Sequence, residues 1–399
     1  MKVLVLNCGS STLKFQVIDT DGLADARKLA RGIVDRIDGP AAYSFTADGG
    51  AREERSLAVA NHEVAVGLVI DWLGTQPGLR AIDAVGHRVV HGGDRFAASV
   101  LIDDAAIAEL EALCELAPLH NPGAVSGIRA ARKILGAAVP MVAAFDTSFH
   151  CTIPEHAALY AIPYELSQKH KIRRYGFHGL AHQYDVARYA ELTGRQVTQV
   201  NAVTLHLGNG CSATAIRNGR SIDTSMGFTP LEGLVMGTRS GDIDPALVSY
   251  LARKEQVDAA QVEGWLNKRS GLLGLSGISN DMRELTAAYS THAGARLAID
   301  VFCYRARKYL GAYLAALSGA SQAVIFSGGI GENAPMVRRM ILTGMEWCGL
   351  DVDAAANEVT IGRDGRISSA NSQLDVYVIH TDEEAVIARE TVRLVNRAP

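Results

Sequence analysis

Twice in this chain an apolar strand runs into a short tip of glycine and hydroxyl residues and returns as a second apolar strand. The first copy is "VLVLNCGSSTLKFQV" (3–17) and the second is "AVTLHLGNGCSATAI" (202–216). Apolar runs on both sides of a tight polar turn specify a β-hairpin. The second copy continues through "RNGR" (217–220), whose Asn-Gly pair signals a type I′ turn, into a third strand over 221–224. A repeated hairpin with a polar tip predicts two similar domains whose tips face one ligand.

A third tip lies in "AVIFSGGIGENAP" (323–335), read as strand, glycine turn and helix with Pro335 in the first turn. Glycine lets backbone N–H groups converge on an anion. One such tip alone is a tight turn. Three of them, each directly after an apolar strand, point to phosphate. No GxxxxGK[ST] occurs, which excludes a Walker A loop. Residues 208–213 (GNGCSA) match the dinucleotide pattern GxGxxA, but that fingerprint needs a helix directly after the glycines, and a hairpin follows instead. A protein kinase glycine loop is also a hairpin, yet no HRD or DFG sequence follows.

The rest of the chain alternates helix and strand. Helices are expected over 55–73, 103–117 (stopped by Pro118), 243–256, 280–290, 293–318 and 383–397. Buried strands are expected over 81–93 and 139–149, and a turn over 20–23. This is an α/β pattern. At 399 residues and 48% hydrophobic content the chain exceeds one ordinary core, so two domains are expected. A net charge of −4 gives no electrostatic footprint for nucleic acid. No run approaches the roughly 20 apolar residues that span a bilayer, and the apolar stretch at the start is too short for a secretory signal. Six scattered cysteines without a CxxC pair read as reduced thiols of a cytoplasmic protein.

Nine of the twelve histidines lie between 87 and 206. His178 and His182 have the spacing of a zinc half-site, although Gly176 and Gly179 weaken the helix it needs. On a strand, His87 and His91 share one face, and Arg88 and Val90 the other. Within "FTPLEGLVMGTRSGDIDP" (228–245), Arg239 is either an anion clamp or a surface arginine, and Asp242 and Asp244 could serve as helix N-caps. Thr381 and Glu384 form a capping-box pattern. That would leave Glu383 as a free carboxylate for a divalent metal, or as an acid favouring the helix dipole.

Taken in order, these segments resemble the acetate kinase family along essentially the whole chain. "VLNCGSSTLK" is similar to the family's opening signature and "LVMGTRSGDIDP" to its second. "GHRVVHGG", "LAPLHNP", "FDTSFH", "RRYGFHG", "HLGNGCS", "SGISNDMR", "GGIGEN" and the Glu pair after Thr381 all fall in family order. The resemblance implies two duplicated α/β domains of the ribonuclease H-like, actin-like ATPase fold, with an interdomain active-site cleft. The domains would be 1–150, joined by the helix 383–399, and 151–382, the latter for nucleotide binding and dimerisation. It implies a cytoplasmic homodimer that transfers a phosphoryl group reversibly between ATP and acetate, with Mg²⁺ or Mn²⁺ as cofactor. It implies no nucleic-acid or membrane partner.

Residue roles are implied in the same way. Asp146, His178 and Arg239 match the catalytic positions. Arg88 matches the substrate-carboxylate arginine, with Val90, Leu119, Phe177 and Pro230 as the methyl pocket and His120 beside it. Asn7 and Glu383 match the magnesium-associated pair. Ser10, Thr12, Lys14, His206, Leu207, Gly208, Asn209, Gly210, Asp281, Met282, Arg283, Gly329, Ile330, Gly331, Glu332 and Asn333 match nucleotide-binding positions. There are departures: Thr12 stands for the usual Ser, Cys8 and Cys211 for small residues, and Asp382 for Asn. Leu180 and Ala181 replace a Thr and a Ser, removing two hydroxyls beside His178.

Acetate is already ionised at neutral pH and needs no general base. It needs relief from repulsion against a multiply charged phosphate. Asp146 is therefore read as orienting a metal-bound water or an arginine. Three other readings stay open: a propionate or other short-chain acyl kinase of the same family, an ATP-binding regulatory or chaperone-like module, and a dinucleotide-dependent oxidoreductase resting on GxGxxA.

Overall fold

The computed structural model describes residues 1–9, 11–20, 26–118 and 120–397. Ser10, Leu119 and residues 21–23 of the expected turn lie outside the described residues. The chain forms two compact units, Met1–Phe149 with Asp382–Pro399, and His150–Thr381.

The first unit is built on a sheet of β1 (Lys2–Cys8), β2 (Thr12–Asp19), β3 (Arg27–Asp35), β4 (Gly39–Ala47), β5 (Glu53–Val59), β6 (Ala84–Val89), β7 (Val100–Leu101) and β8 (Met141–Phe145). Among the described residues their order is β5-β4-β3-β2-β1-β6-β8-β7. The hairpin neighbours from β5 to β1 are antiparallel, β1, β6 and β8 run parallel, and β7 is an antiparallel edge. Val3–Leu6 of β1 is fully buried, as a central strand covered on both faces requires. The hairpin strand β2 alternates instead. Leu13, Phe15 and Val17 enter a core with Val66, Val69 and Trp72, while Lys14 faces outward. The closing helix Glu383–Val395 sits directly on β6. A Cβ at Gly86 would lie 2.6 Å from both Ile387 Cγ2 and Thr391 Oγ1, so only glycine allows this approach.

The second unit is built on β9 (Ala202–Leu207), β10 (Cys211–Arg217), β11 (Arg220–Thr224), β12 (Ala323–Ser327), β13 (Gly365–Arg366) and β14 (Asp375–Val378). Their order is β11-β10-β9-β12-β14-β13. Again a hairpin meander is antiparallel, three strands (β9, β12, β14) are parallel, and an antiparallel edge follows. The six-strand order β3-β2-β1-β6-β8-β7 is thus repeated, and β4 and β5 are additions to the first copy. Asn218 and Gly219 have φ of 52° and 74°, the positive pair that a type I′ turn requires.

Four expectations need correction. Residues 55–59 of the expected helix are strand, part of β5. They pair with β4, and the helix begins only at His62, where Asn61 caps it by accepting from Val64 N–H at 3.0 Å. The glycine turn after β12 is itself a helix, Gly328–Asn333. Thr381 does not cap the closing helix. Asp382 does so, accepting from Ala385 N–H at 3.0 Å, because the Thr381 hydroxyl donates to Asp185 at 2.7 Å. Asp242 is not a cap either: it accepts from Gly233 N–H at 2.8 Å and from the Tyr309 hydroxyl at 2.9 Å.

Candidate functional site

In the first unit the carboxyl ends of three parallel strands collect the polar groups. Asn7 comes from β1, Arg88 from β6, and Asp146 directly follows β8. Arg88 grips Asp146 side-on, Nε to Oδ1 at 2.9 Å and Nη2 to Oδ2 at 2.6 Å. Its Nη1 donates to Asn7 Oδ1 at 3.3 Å. Three of its five N–H groups are thereby used, and one N–H on each of Nη1 and Nη2 is left for a ligand. Asp146 is 1% exposed and the Arg88 side chain 19%.

Burial pushes the Asp146 carboxyl up, against the pull of Arg88, which holds both its oxygens as acceptors. Burial acts to lower the Arg88 pKa, but the Asp146 and Glu383 carboxylates outweigh it and keep the guanidinium charged. Glu383 is not a free carboxylate: its Oε2 lies 3.7 Å from Arg88 Nε. Burial, and then the Glu383 charge, push the neighbouring Glu384 up.

Arg88 thus faces the carboxylates of Asp146 and Glu383, with Glu384 next to them and Lys28 acting on Glu384. Carboxylate and amide oxygens suit a hard divalent cation such as Mg²⁺ or Mn²⁺. No group of three or more His, Cys, Asp or Glu side chains set to hold a metal is found among the described residues. That donor set fits a cation that keeps waters and phosphate oxygens in its shell.

Gly9, in the hairpin tip beside this cluster, is held from several sides. Gly9 N–H donates to Thr12 O at 2.8 Å, and Gly9 O meets His62 Nε2 at 2.7 Å. Gly123 approaches so closely that a Cβ there would stand 2.5 Å from Gly9 O. Lys14 lies directly across from Asn7 in the hairpin register and is exposed. It lines an open groove of about 370 Å³ with Gln16, Arg31, Ser44, Arg52 and Glu384.

In the second unit the tips after β9 and β12 lie side by side, since His206 pairs in register with Ser327. Gly328 has φ of 74°, and a Cβ there would be 2.7 Å from Leu207 O. Only glycine fits. Beside these tips opens a cavity of about 800 Å³. Gly208, Asn209, Asp281, Met282, Arg283, Gly329, Ile330 and Asn333 line it, together with Asn280, Thr286 and Ala334 to Met336. Asn280 donates to Asn209 Oδ1 at 3.0 Å, fixing one wall. Asp281 caps the next helix and is held down to about 2 by hydrogen bonds from Arg283.

Gly331 and Glu332 stand behind this cavity. Glu332 Oε1 accepts from Gly328 N–H at 3.1 Å and Thr381 N–H at 3.2 Å, and Oε2 meets His380 at 2.6 Å. Its carboxylate ties the β12 turn to the end of β14. His206 is fixed by Ser327 at 3.1 Å, and Leu207 is buried within β9.

His178 and Arg239 meet at Gly210. A Cβ on Gly210 would be 3.3 Å from His178 Nε2 and 3.7 Å from Arg239 Nη1. His178 sits at φ 57° and ψ 24°, immediately before the helix Gly179–Thr193. Few non-glycine residues adopt that left-handed conformation; here it carries the chain into the helix. Arg239 Nη1 donates to Pro230 O at 3.1 Å, and the guanidinium makes no ion pair among the described residues. Burial lowers its pKa. His178 and His182 converge on the hydroxyl of Ser212, so the zinc-type spacing serves a hydrogen bond here.

The expected methyl-pocket residues divide between the units. Val90, just past β6, and His120, before the helix Asn121–Leu135, belong to the first. Phe177, whose carbonyl accepts from His150, and Pro230 belong to the second. Asn280 and Ser212 were missed as site residues. Both lie inside quoted segments, and only the neighbouring turn geometry distinguishes them from spacers.

A profile of the acetokinase family matches residues 2–389. The chain is similar to an acetate kinase from Solibacter usitatus, 52% identical over 100% of this chain and 99% of that one. It is similar to an acetate kinase from Chloroherpeton thalassium at 49%, over 100% of both chains. Among solved structures, it resembles an acetate kinase from Porphyromonas gingivalis with TM-score 0.93 and 41% identity, over 99% of each chain. A propionate kinase from Francisella tularensis matches with TM-score 0.92 and 41% identity, over 98% of this chain and 99% of that one.

Proposed function

The chain belongs to the acetokinase family, and we propose a division of that family's reaction between its two units. The activity is a carboxyl-group phosphotransfer, the reversible conversion of ATP and acetate into ADP and acetyl phosphate. In our reading the first unit addresses the carboxylate and the second the nucleotide. The observation that carries it is the Arg88 clamp. Asp146 occupies one edge of the guanidinium and aims the remaining N–H pair, so a carboxylate can be met by a fork.

Acetate arrives ionised, so the attacking oxygen needs no base. Asp146, with both oxygens committed, acts by holding Arg88. In the second unit the cavity bounded by Gly208, Asn209, Asp281, Met282, Arg283, Gly329, Ile330 and Asn333 has the size and the backbone-rich tips for ATP or ADP. Arg239, which has no carboxylate partner among the described residues, and His178 beside it are assigned to charge building on the phosphoryl group during direct in-line transfer. Lys14 and Thr12, with Ser10 of the same tip, are assigned to the phosphates. Val90, Phe177 and Pro230, with Leu119 and His120, are assigned to the acyl group.

Asn7 and Glu383 would hold Mg²⁺ (Mn²⁺ as a substitute), which when bound supplies charge neutralisation to the phosphate oxygens. We also place the chain in the cytoplasm as a homodimer. The helix Ala246–Glu255 buries none of its residues and leaves Leu247 and Tyr250 43% and 49% exposed, a face suited to a second copy.

The test is ADP release with acetate, propionate or butyrate as acceptor, with and without Mg²⁺. Acetate should support the largest kcat/KM, and omission of the metal should abolish turnover. Equal use of butyrate would remove the small acyl pocket. A second reading, propionate as the preferred acceptor, is favoured by the equal resemblance to the Francisella propionate kinase and is decided by the same assay.

A further inference from the structure

Leu180 and Ala181 offer no hydroxyl to orient His178, so its support must come from elsewhere. It comes from β10. The Ser212 hydroxyl lies 2.9 Å from His178 Nδ1 and 2.8 Å from His182 Nε2. His182 Nδ1 in turn lies 2.7 Å from the Thr204 hydroxyl on β9. Ser212, His182 and Thr204 are all fully buried.

Proton counting fixes the direction of this chain. Ser212 has one O–H to give and two ring nitrogens to satisfy. Suppose His178 donated from Nδ1. Ser212 would then donate to His182 Nε2, and His182 Nδ1–H to Thr204. The Thr204 proton would be stranded, because His182 is the only partner of that hydroxyl among the described residues. A buried donor without an acceptor is costly, whereas an unused acceptor lone pair is not. The opposite direction strands no proton of the fully buried Ser212, His182 and Thr204. Thr204 O–H donates to His182 Nδ1, His182 Nε2–H to Ser212, and Ser212 O–H to His178 Nδ1.

Burial, with His150 and His206 nearby, holds the His182 pKa well below its usual value and keeps one proton on its ring, as either direction requires. The groups facing His178 are His182 on its own helix, His206 on β9 with ring centres 4.9 Å apart, and Arg239 across Gly210.

We propose that Ser212, backed by His182 and Thr204, is a positioning residue that holds His178 with its proton on Nε2, pointed at the same spot as the Arg239 guanidinium. The chain thereby supplies from β9 and β10 the orientation that Leu180 and Ala181 cannot. The catalytic consequence rests on the phosphoryl role assigned to His178 above; the proton placement does not.

The test uses the full-length enzyme labelled with [¹⁵N]histidine, with the His178 signals assigned by their loss in His178→Ala. The wild type should show His178 protonated at Nε2 with Nδ1 as an acceptor. Ser212→Ala should move His178 toward mixed tautomers and lower kcat about 10- to 100-fold, with KM for ATP and acetate within about twofold. His182→Gln keeps an N–H at the Nε2 position and should retain most of the wild-type kcat and tautomer. His182→Met should behave like Ser212→Ala. Unchanged His178 nitrogen shifts in Ser212→Ala would overturn the proposal, even with kcat reduced. Should the tautomer shift while His178→Ala itself turns over normally, the positioning chain stands and the phosphoryl role of His178 fails.

Discussion

Arg88 and Arg239 are both half-buried guanidiniums at polar tips, but their partners differ in kind. Arg88 is locked by the Asp146 carboxylate and flanked by Glu383. Arg239 leans on a carbonyl, Pro230 O, and has no carboxylate partner among the described residues. A paired arginine has a fixed direction and little net charge. An arginine without an anion keeps its whole charge in a site where burial makes that charge costly. On the assignment proposed above, the first arrangement selects by geometry and the second lowers its own energy when a polyanion arrives. On one repeated strand order, the two units thus hold one arginine locked to a carboxylate and one resting on a carbonyl.

The strongest way to break this contrast is at Arg239. Arg239→Ala should lower kcat by about 10²–10³-fold, the range for losing one preorganised donor to developing charge. Melting temperature should hold or rise, since a poorly solvated charge is removed. Steady-state kinetics with a thermal melt checks both. A large loss of stability would show that Arg239 is a structural strut and would collapse the distinction.

At Arg88 the expected effect is smaller and of a different kind. Arg88→Lys keeps the charge and loses the fork, so KM for acetate should rise about tenfold or more while KM for ATP stays near normal. Asp146→Asn should follow the same pattern more weakly, by loosening the aim of the guanidinium. If the pair works as one clamp, the double variant should cost little more than Arg88→Lys alone. Additive losses would mean that Asp146 has a role of its own.

How far the sequence reveals these sites depends on what sets each contact. The hairpins, their tips and the cavity residues 208–209, 281–283, 329–330 and 333 are local features, and local periodicity displays them. The Arg88–Asp146 clamp is set by the parallel register of β6 with β8, in which Val89 pairs with Phe145, and nothing in either segment encodes that offset. Glu383 looked free because the partner that approaches it, Arg88, is remote in sequence. Thr381 looked like a cap because its competing acceptor, Asp185, is also remote. Residues 55–59 read as helix because their apolar spacing continues into that of the following helix. Pairing with β4 and the Asn61 cap decide the boundary instead.

The smallest effect sharpens the contrast from the side of the scaffold. His87 precedes Arg88 on β6 and points the other way, into the core, where its buried Nε2 has no hydrogen-bond partner among the described residues. Burial lowers its pKa to about 3, whereas an unfolded histidine titrates near ~6.5. As pH falls below ~6.5 the unfolded chain takes up a proton that the folded chain refuses, so the stability His87 allows at neutral pH is lost progressively toward about 3. Between ~8 and ~5 that loss is about 2 kcal/mol for one proton. His87→Leu keeps the apolar contacts and removes the titration. Its urea midpoint should match the wild type at pH 8 and exceed it at pH 5, with KM for acetate unchanged at pH 8. A shift in that KM would mean that the strand transmits core changes to Arg88, and that the clamp is held by β6 as much as by Asp146.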